Sequence, residues 1–197
     1  MKDPLIHGNS KMGRRVAIFN LPPLATCAPT AWCRQGKNGQ PACYALRNNF
    51  LLPNVLRGAR ERLDFSRTDG FVDAMITAIK KARVRFFRFH SSGDFYSAEY
   101  VRKVLAIARA CPETLFRTTT RRREFRAELQ QLNSLPNFIV RESLDPDRPD
   151  PVLDLPFAAL DSLPIAAAPG TIRCPNDCVQ CGYSCWKQRD NMSLKER

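Results

Sequence analysis

The sequence predicts an α/β fold: about five mostly parallel strands with flanking helices, in an open sheet or partial barrel, and a cysteine knot at each chain end. Short apolar runs alternate with stretches of helical period at least three times. Seven of the eight cysteines fall into two groups far apart in sequence. The 44 % hydrophobic content of the 197 residues allows one sizeable core. We therefore read a single α/β domain over residues 1–197, with a cysteine-rich appendage, 171–197, packed on it.

Taken in order, the run from Arg15 to Asn20 is apolar and stopped by Pro22-Pro23, as a buried strand would be. The first cysteine knot follows it directly. Pro53 to Arg67 reads as helix with proline near its start, and Asp69 is expected to cap a second helix on which Val72, Met75, Ile76 and Ile79 share a face. Val84 to Phe89 is the clearest strand and ends in His90-Ser91-Ser92-Gly93-Asp94-Phe95. Ser97 opens a helix with Val101, Val104, Leu105 and Ala108 on one side, closing at Cys111 before Pro112. Thr114 to Thr118 is a strand, Thr120 caps a helix carrying Phe125, Leu129 and Leu132, and Asn137 to Arg141 is another strand. After the proline-rich loop Asp145 to Pro151, a short helix precedes the last expected strand, Pro164 to Ala168. Pro169-Gly170 then leads into the second knot.

In parallel sheets ligands gather beyond the carboxyl ends of the strands. The first knot, the His90–Phe95 loop, the Thr118–Arg123 turn and the approach to the second knot all follow strands, so they should converge on one face.

Lysine and arginine outnumber aspartate and glutamate by 31 to 19, a net charge of +12, which favours nucleic acid or a nucleotide-bearing ligand as partner. No stretch approaches the ~20 apolar residues that span a bilayer. Met1 to Gly8 lacks the apolar run of a secretory signal. The expectation is a soluble, cytoplasmic protein with no membrane partner; the oligomeric state is left open.

The cysteines point to metal rather than disulfides, because four within twelve residues would form strained, very short loops. Cys174, Cys178, Cys181 and Cys185 are separated by three, two and three residues. That single dense run is closer to a bacterial ferredoxin pattern than to paired zinc knuckles, so a 4Fe–4S cluster is preferred and zinc is the alternative. Cys27, Cys33 and Cys43, the last after the insert Gly36 to Gln40, form a trio. Three thiolates leave one iron of a cluster open, or a water site on zinc. One or two clusters are thus expected, and Cys111 is read as core.

Asp94 and nearby carbonyls are candidates for holding a cation such as an α-ammonium group, and Gly93 for letting a ligand reach the backbone. The plain alternative is that Asp94 caps a turn and His90 hydrogen-bonds within the core. Arg117, Thr119, Thr120, Arg121 and Arg122, at a strand end and helix start, are candidate phosphate or nucleic-acid ligands, with a solvated helix face as the alternative. Lys11, Arg14 and Arg15 would extend that basic strip. Trp32, Tyr44 and Trp186, beside the knots, either shield a cluster, stack on a base or simply pack.

Together these residues resemble a phage-encoded family known only as gene product 88. The resemblance rests on the N-terminal cysteines ending in Cys43-Tyr44-Ala45, the block Arg88-Phe89-His90-Ser91-Ser92-Gly93-Asp94-Phe95, and Cys174 to Cys185. It spans nearly the whole chain, with a longer insert before Cys43 than the family pattern. More distantly, a cysteine knot after the first strand is similar to radical S-adenosylmethionine proteins and spore-photoproduct-lyase-like relatives. That resemblance implies that Cys27, Cys33 and Cys43 hold the cluster with the open iron. Ser92, Gly93 and Asp94 would take the place of the segment that binds the amino group of S-adenosylmethionine, with Tyr44, His90 and Ser91 beside them as cofactor-binding candidates. Cys174, Cys178 and Cys181 match the same superfamily's spacing letter for letter, but with only sixteen residues after them, in the wrong place.

Three readings follow. One is an iron–sulfur enzyme of radical S-adenosylmethionine type, truncated, acting on nucleic acid or a nucleotide. Another is a non-catalytic iron–sulfur or zinc protein that binds nucleic acid, such as a phage regulator. The third is a structural clip in which Cys185, or another late cysteine, completes the N-terminal set.

Overall fold

The computed structural model describes residues 3–36 and 39–196. Lys37 and Asn38 of the expected insert lie outside the described residues. The sheet is open and holds eight strands: β1 (Ile6–His7), β2 (Val16–Phe19), β3 (Phe86–Phe89), β4 (Leu115–Thr120), β5 (Phe138–Leu144), β6 (Phe157–Leu160), β7 (Ile172–Arg173) and β8 (Met192–Leu194). Their order is β1-β2-β3-β4-β5-β6-β8-β7, and only the β1–β2 pair is antiparallel. From β2 to β6 spatial order equals chain order. Every crossover therefore steps the same way, and every following loop emerges along one edge.

Helices α1 (Ala31–Gln35), α2 (Pro53–Arg67), α3 (Phe71–Lys81), α4 (Ala98–Ala110), α5 (Arg126–Asn133) and α6 (Ser184–Lys187) complete the fold. The pleat divides each strand between two surroundings. Phe87, Phe116 and Phe138 stand side by side in register, with neighbouring ring centres 5.4 and 5.5 Å apart. They share the main core with Phe71, Met75 and Ile79 of α3, Val101, Val104, Leu105 and Ala108 of α4, and Leu129 and Leu132 of α5. Val16, Ile18, Phe86 and Ala158 on the opposite face pack instead on Cys178, Tyr183, Cys185 and Trp186. One face is thus covered by helices and the other by the cysteine-rich C-terminal segment, which also contributes β7 and β8.

Several expectations need correction. The open, mostly parallel sheet is as expected, but among the described residues it holds eight strands where about five were legible, because β1, β7 and β8 are two or three residues long and carry no readable period. Pro164–Ala167 is a 3₁₀ turn, not the last strand, and the preceding Phe157–Leu160 is the strand. Its two alanines suit a helix locally; pairing with β5 and β8 overrides that preference. Asp69 is not a cap, since α3 starts after Gly70 with no side-chain cap bond. Thr120 is not one either: it ends β4, and α5 begins at Arg126 after a 3₁₀ turn at Arg123–Phe125. Ser97 does cap α4, accepting from Tyr100 N. Cys111 is buried in the main core. No helix among the described residues is long and apolar enough to cross a membrane.

Candidate functional site

The segments that follow β2 and β3 are laced together. Asn20 Oδ1 accepts from the amides of Ser91 and Ser92, Leu21 N donates to Ser92 O, and Ser92 Oγ donates to Leu21 O. Thr26 Oγ1 accepts from Asp94 N at 3.1 Å. Gly93, at φ 79°, is where the segments touch most closely: an added Cβ would lie 2.6 Å from Leu21 Cβ and 2.7 Å from Thr26 Oγ1. The glycine is required here by the neighbouring chain.

Both Asp94 carboxylate oxygens are engaged. Oδ1 accepts from Thr120 Oγ1 and Phe95 N, and Oδ2 from Arg121 N. Burial nevertheless lifts its acid to about 6, against the lowering effect of those bonds. His90, at φ 60°, turns inward, its Nε2 3.1 Å from Tyr100 Oη. Burial, helped by Arg88, pushes its pKa down to about 3, so its ring is neutral.

Cys33 enters through α1, which Thr30 caps by accepting from Cys33 N. Thr30 in turn donates to Asp145 Oδ2 at 3.0 Å, the atom that also takes Arg121 Nε at 2.8 Å. Asp145 is fully buried, and Asp147 Oδ2 accepts from Trp32 N. The loop after β5 therefore holds the first cysteine helix in place. Cys43 N donates to Cys33 O, and Tyr44 Oη donates to Ser91 O.

On the opposite sheet face, Arg88 and Arg117 are direct neighbours in register on β3 and β4, and Arg141 lies on β5. Three cations this close repel. Arg141 donates to three carbonyls of the C-terminal segment, those of Cys185, Gln188 and Asp190. Burial and Arg117 lower its pKa to about 10. Arg117 Nη1 donates to Cys185 Sγ. Burial opposes ionisation of Cys185, yet Arg117, Arg141 and Arg88 outweigh it and lower the thiol. Trp186 Nε1 donates to Phe87 O, bolting the segment to the sheet.

One cavity of about 330 Å³ joins these parts. All seven cysteines of the two sets line it, with Tyr44, His90, Ser91, Ser92, Gly93, Asp94, Arg117, Thr119 and Arg121. The cysteines are all free thiols. Burial pushes Cys27 up to about 12, with Asp94 adding to the shift, and Cys178 up to about 11, with Cys185 adding. Soft sulfur donors facing one cavity beside buried guanidiniums suit a thiolate-bound metal in donor chemistry. As the side chains lie, no three His, Cys, Asp or Glu among the described residues stand close enough to hold an ion. Arg117 Nε and Arg88 Nε are buried with no hydrogen-bond partner.

The expected phosphate ligands are only partly brought together. Arg117, Thr119 and Arg121 face the cavity, but Thr120 is turned to Asp94. Arg122 is held by Thr26 O and Glu124, Arg123 by Glu142, and Arg126 by Asp154. Asn20, Asp145 and Arg141 have no site role legible in the sequence, and Arg88 enters there only within the block that carries the family resemblance. A signal existed for Arg88, a charge inside an apolar strand; Asp145 was hidden in a loop that reads as a turn.

Among comparisons with known proteins, the family model described as Gene product 88 matches residues 3–186. No curated protein matches, and no solved structure matches.

Proposed function

The chain belongs to the phage gene product 88 family, whose matched span includes every cysteine of both sets, and from that premise we propose that it is an iron–sulfur protein acting on nucleic acid or a nucleotide. The observation that carries this reading is the single cavity walled by seven reduced cysteines. Cys27, Cys33 and Cys43 would hold a 4Fe–4S cluster, and Cys174, Cys178, Cys181 and Cys185 a second cluster or zinc. Such thiolate sites suit the reducing cytoplasm. With three protein ligands, a bound cluster supplies one-electron reduction to a ligand on its fourth iron.

The chain's own residues provide the rest. Tyr44 and the backbone of Ser91 to Gly93 form the wall beside the trio, which is where S-adenosylmethionine would sit in an enzyme of radical type. Lacing of that wall to the β2 loop fixes its position before any ligand arrives. Arg117 and Arg121 bring positive charge to the cavity for thiolates or a phosphate-bearing substrate. Trp32, Phe50 and Trp186 exclude water from its apolar side.

A second reading, a non-catalytic metal protein that binds nucleic acid, draws support from the C-terminal set alone. Arg141 and Trp186 bolt that set to the sheet, as suits a structural metal. Anaerobic purification with iron, sulfide and zinc analysis, followed by reduced EPR with and without S-adenosylmethionine, separates the two. Iron and sulfide with a signal shifted by the cofactor is the expected result. Zinc alone, or clusters blind to S-adenosylmethionine, overturns the enzyme and leaves the binding protein.

A further inference from the structure

A second basic surface lies at the amino end of the strands. Arg14 and Arg15 immediately precede β2, and Arg83 and Arg85 precede β3. Because Val16 pairs with Phe86 in a parallel ladder, the two approaches run side by side. The four arginines, all exposed, line a recess of about 370 Å³ in which no aspartate or glutamate takes part. Lys80 and Lys81, exposed in the last turn of α3, stand just upstream.

The cations at the two ends of the sheet differ in their commitments. On β4 and in the segment that follows it, Arg117, Arg121, Arg122, Arg123 and Arg126 all have protein partners. Among the described residues, the guanidiniums of Arg14, Arg15 and Arg83 have no hydrogen-bond or ion-pair partner. Arg85 reaches only the carbonyl of Glu113, at 3.5 Å. The backbone beneath is fixed: Arg83 N donates to Lys80 O and buried Val84 N to Ile79 O, closing the turn in which Arg83 takes φ 48°. Among the described residues the acid beside this recess is Asp3, 3.7 Å from His7 rather than on the arginines, so like charges gathered on rigid backbone repel one another until an anion arrives.

We propose that this surface binds the phosphodiester backbone of a nucleic acid. Four arginines spread across an open recess can meet successive phosphates, and guanidinium matches phosphate bidentately. Among the described residues the exposed large apolar side chains, Leu24, Leu51, Leu52, Val152, Ile172 and Val179, all lie elsewhere and leave this surface without an anchor for a lipid bilayer. The inference shares with the proposed function the nature of the partner and uses none of the cysteines.

The test is fluorescence anisotropy with labelled single-stranded DNA, its duplex and the matching RNA, titrated into the full chain across about 50 to 200 mM salt. Arg14→Ala/Arg15→Ala and Arg83→Ala/Arg85→Ala should each weaken binding about tenfold and lower the salt slope by about two. Arg57→Ala/Arg60→Ala, which removes equal charge from the exposed part of α2, should change binding by less than about twofold. Equal losses in all three variants, or none in the first two, overturn the proposal. So does a loss seen only with phosphatidylserine vesicles and not with oligonucleotides. Chain with and without metal is titrated alike, so a failed cluster assignment leaves this result standing.

Discussion

Arg117 Nη1 donates to Cys185 Sγ at 2.7 Å while its guanidinium lies 4.8 Å from the centre of the Trp186 ring. One arginine on the central strand thus fixes the segment that carries the second cysteine set. The charged hydrogen bond and the cation–π contact each stabilise by about 1–2 kcal/mol. Repulsion from Arg88 and Arg141 offsets part of that. Arg117→Met should therefore cost about 2 kcal/mol, read as a lower urea midpoint. Arg117→Lys should recover only part, because an ammonium cannot present the planar fork that spans sulfur and ring. A variant as stable as the native chain would show that the pair contributes nothing.

Gly93 tests the lacing of the β2 and β3 loops. Its positive φ costs a side chain about 1–2 kcal/mol, and the 2.6 Å approach to Leu21 adds overpacking of similar size. Gly93→Ala should lose about 3 kcal/mol and unfold several degrees lower. Gly39, also at positive φ but with open space around it, should show only the conformational part when replaced by alanine.

The buried His90 gives a pH signature. Its pKa falls from 6.5 in the unfolded chain to about 3 in the fold, so the unfolded state takes up the proton first. Stability from the neutral ring is present above about pH 6.5, is lost as the pH falls through that window, and levels off near pH 3. The groups facing the ring are Arg88, Tyr100 and the Phe89 and Phe95 rings. Asp94, lifted to about 6, works in the opposite direction and belongs to both proteins compared. His90→Asn tolerates the left-handed backbone and removes the titration. The stability of the native chain relative to this variant should fall by up to about 1.4 kcal/mol per pH unit between pH 6 and 4. Parallel pH curves for the two proteins would mean that the ring is solvated.

The sequence exposed the scaffold better than its edges. The Val84–Phe89 and Asn137–Arg141 runs announce buried strands because burial on both faces leaves an apolar stretch, and α4 announces itself through Ser97 and its apolar face. Strands of two residues have no period to read, and Phe157–Leu160 is a strand only because β5 and β8 flank it. At the site, the convergence of loops that follow strands was legible from topology alone. What was not legible is which arginines are already occupied. Arg122 and Asp94 are site candidates in one dimension; in three, Thr26 O engages Arg122, and Thr120 and the Arg121 amide engage Asp94, which also lines the cavity.

Asp145 is the clearest case of a residue whose role emerges only from the fold. Its carboxylate, fully buried, accepts from Thr30 and Arg121, and Cys33 Sγ lies 4.0 Å from Oδ2. Removing it strands a largely buried guanidinium, which costs about 3 kcal/mol. On the proposed reading of the cysteines as metal ligands, Asp145→Ala should also lower the metal content of the first set while leaving that of the second intact, measured as iron and zinc per chain. Equal loss from both sets would mean global unfolding, and circular dichroism recorded on the same sample distinguishes that case.

Cys185 lies on the sheet face together with Cys174 and Cys178. Its side chain is buried against Trp186 and Arg117, and Arg117 feels Cys185, Cys178 and Cys174 together. Arg121, by contrast, feels Cys33 with Asp145 and Asp94. Each cysteine set thus has its own arginine, and the C-terminal carbonyls held by Arg141 keep Cys185 on the sheet face. On the proposed iron–sulfur reading, Cys185→Ser should deplete the metal of the second set and leave that bound by Cys27, Cys33 and Cys43. Cys27→Ser should do the reverse, and Cys111→Ser, far from the cavity in the main core, should deplete neither. If Cys185→Ser instead empties the first site, the late cysteine completes the early trio. The metal then clips the chain ends and has no open iron.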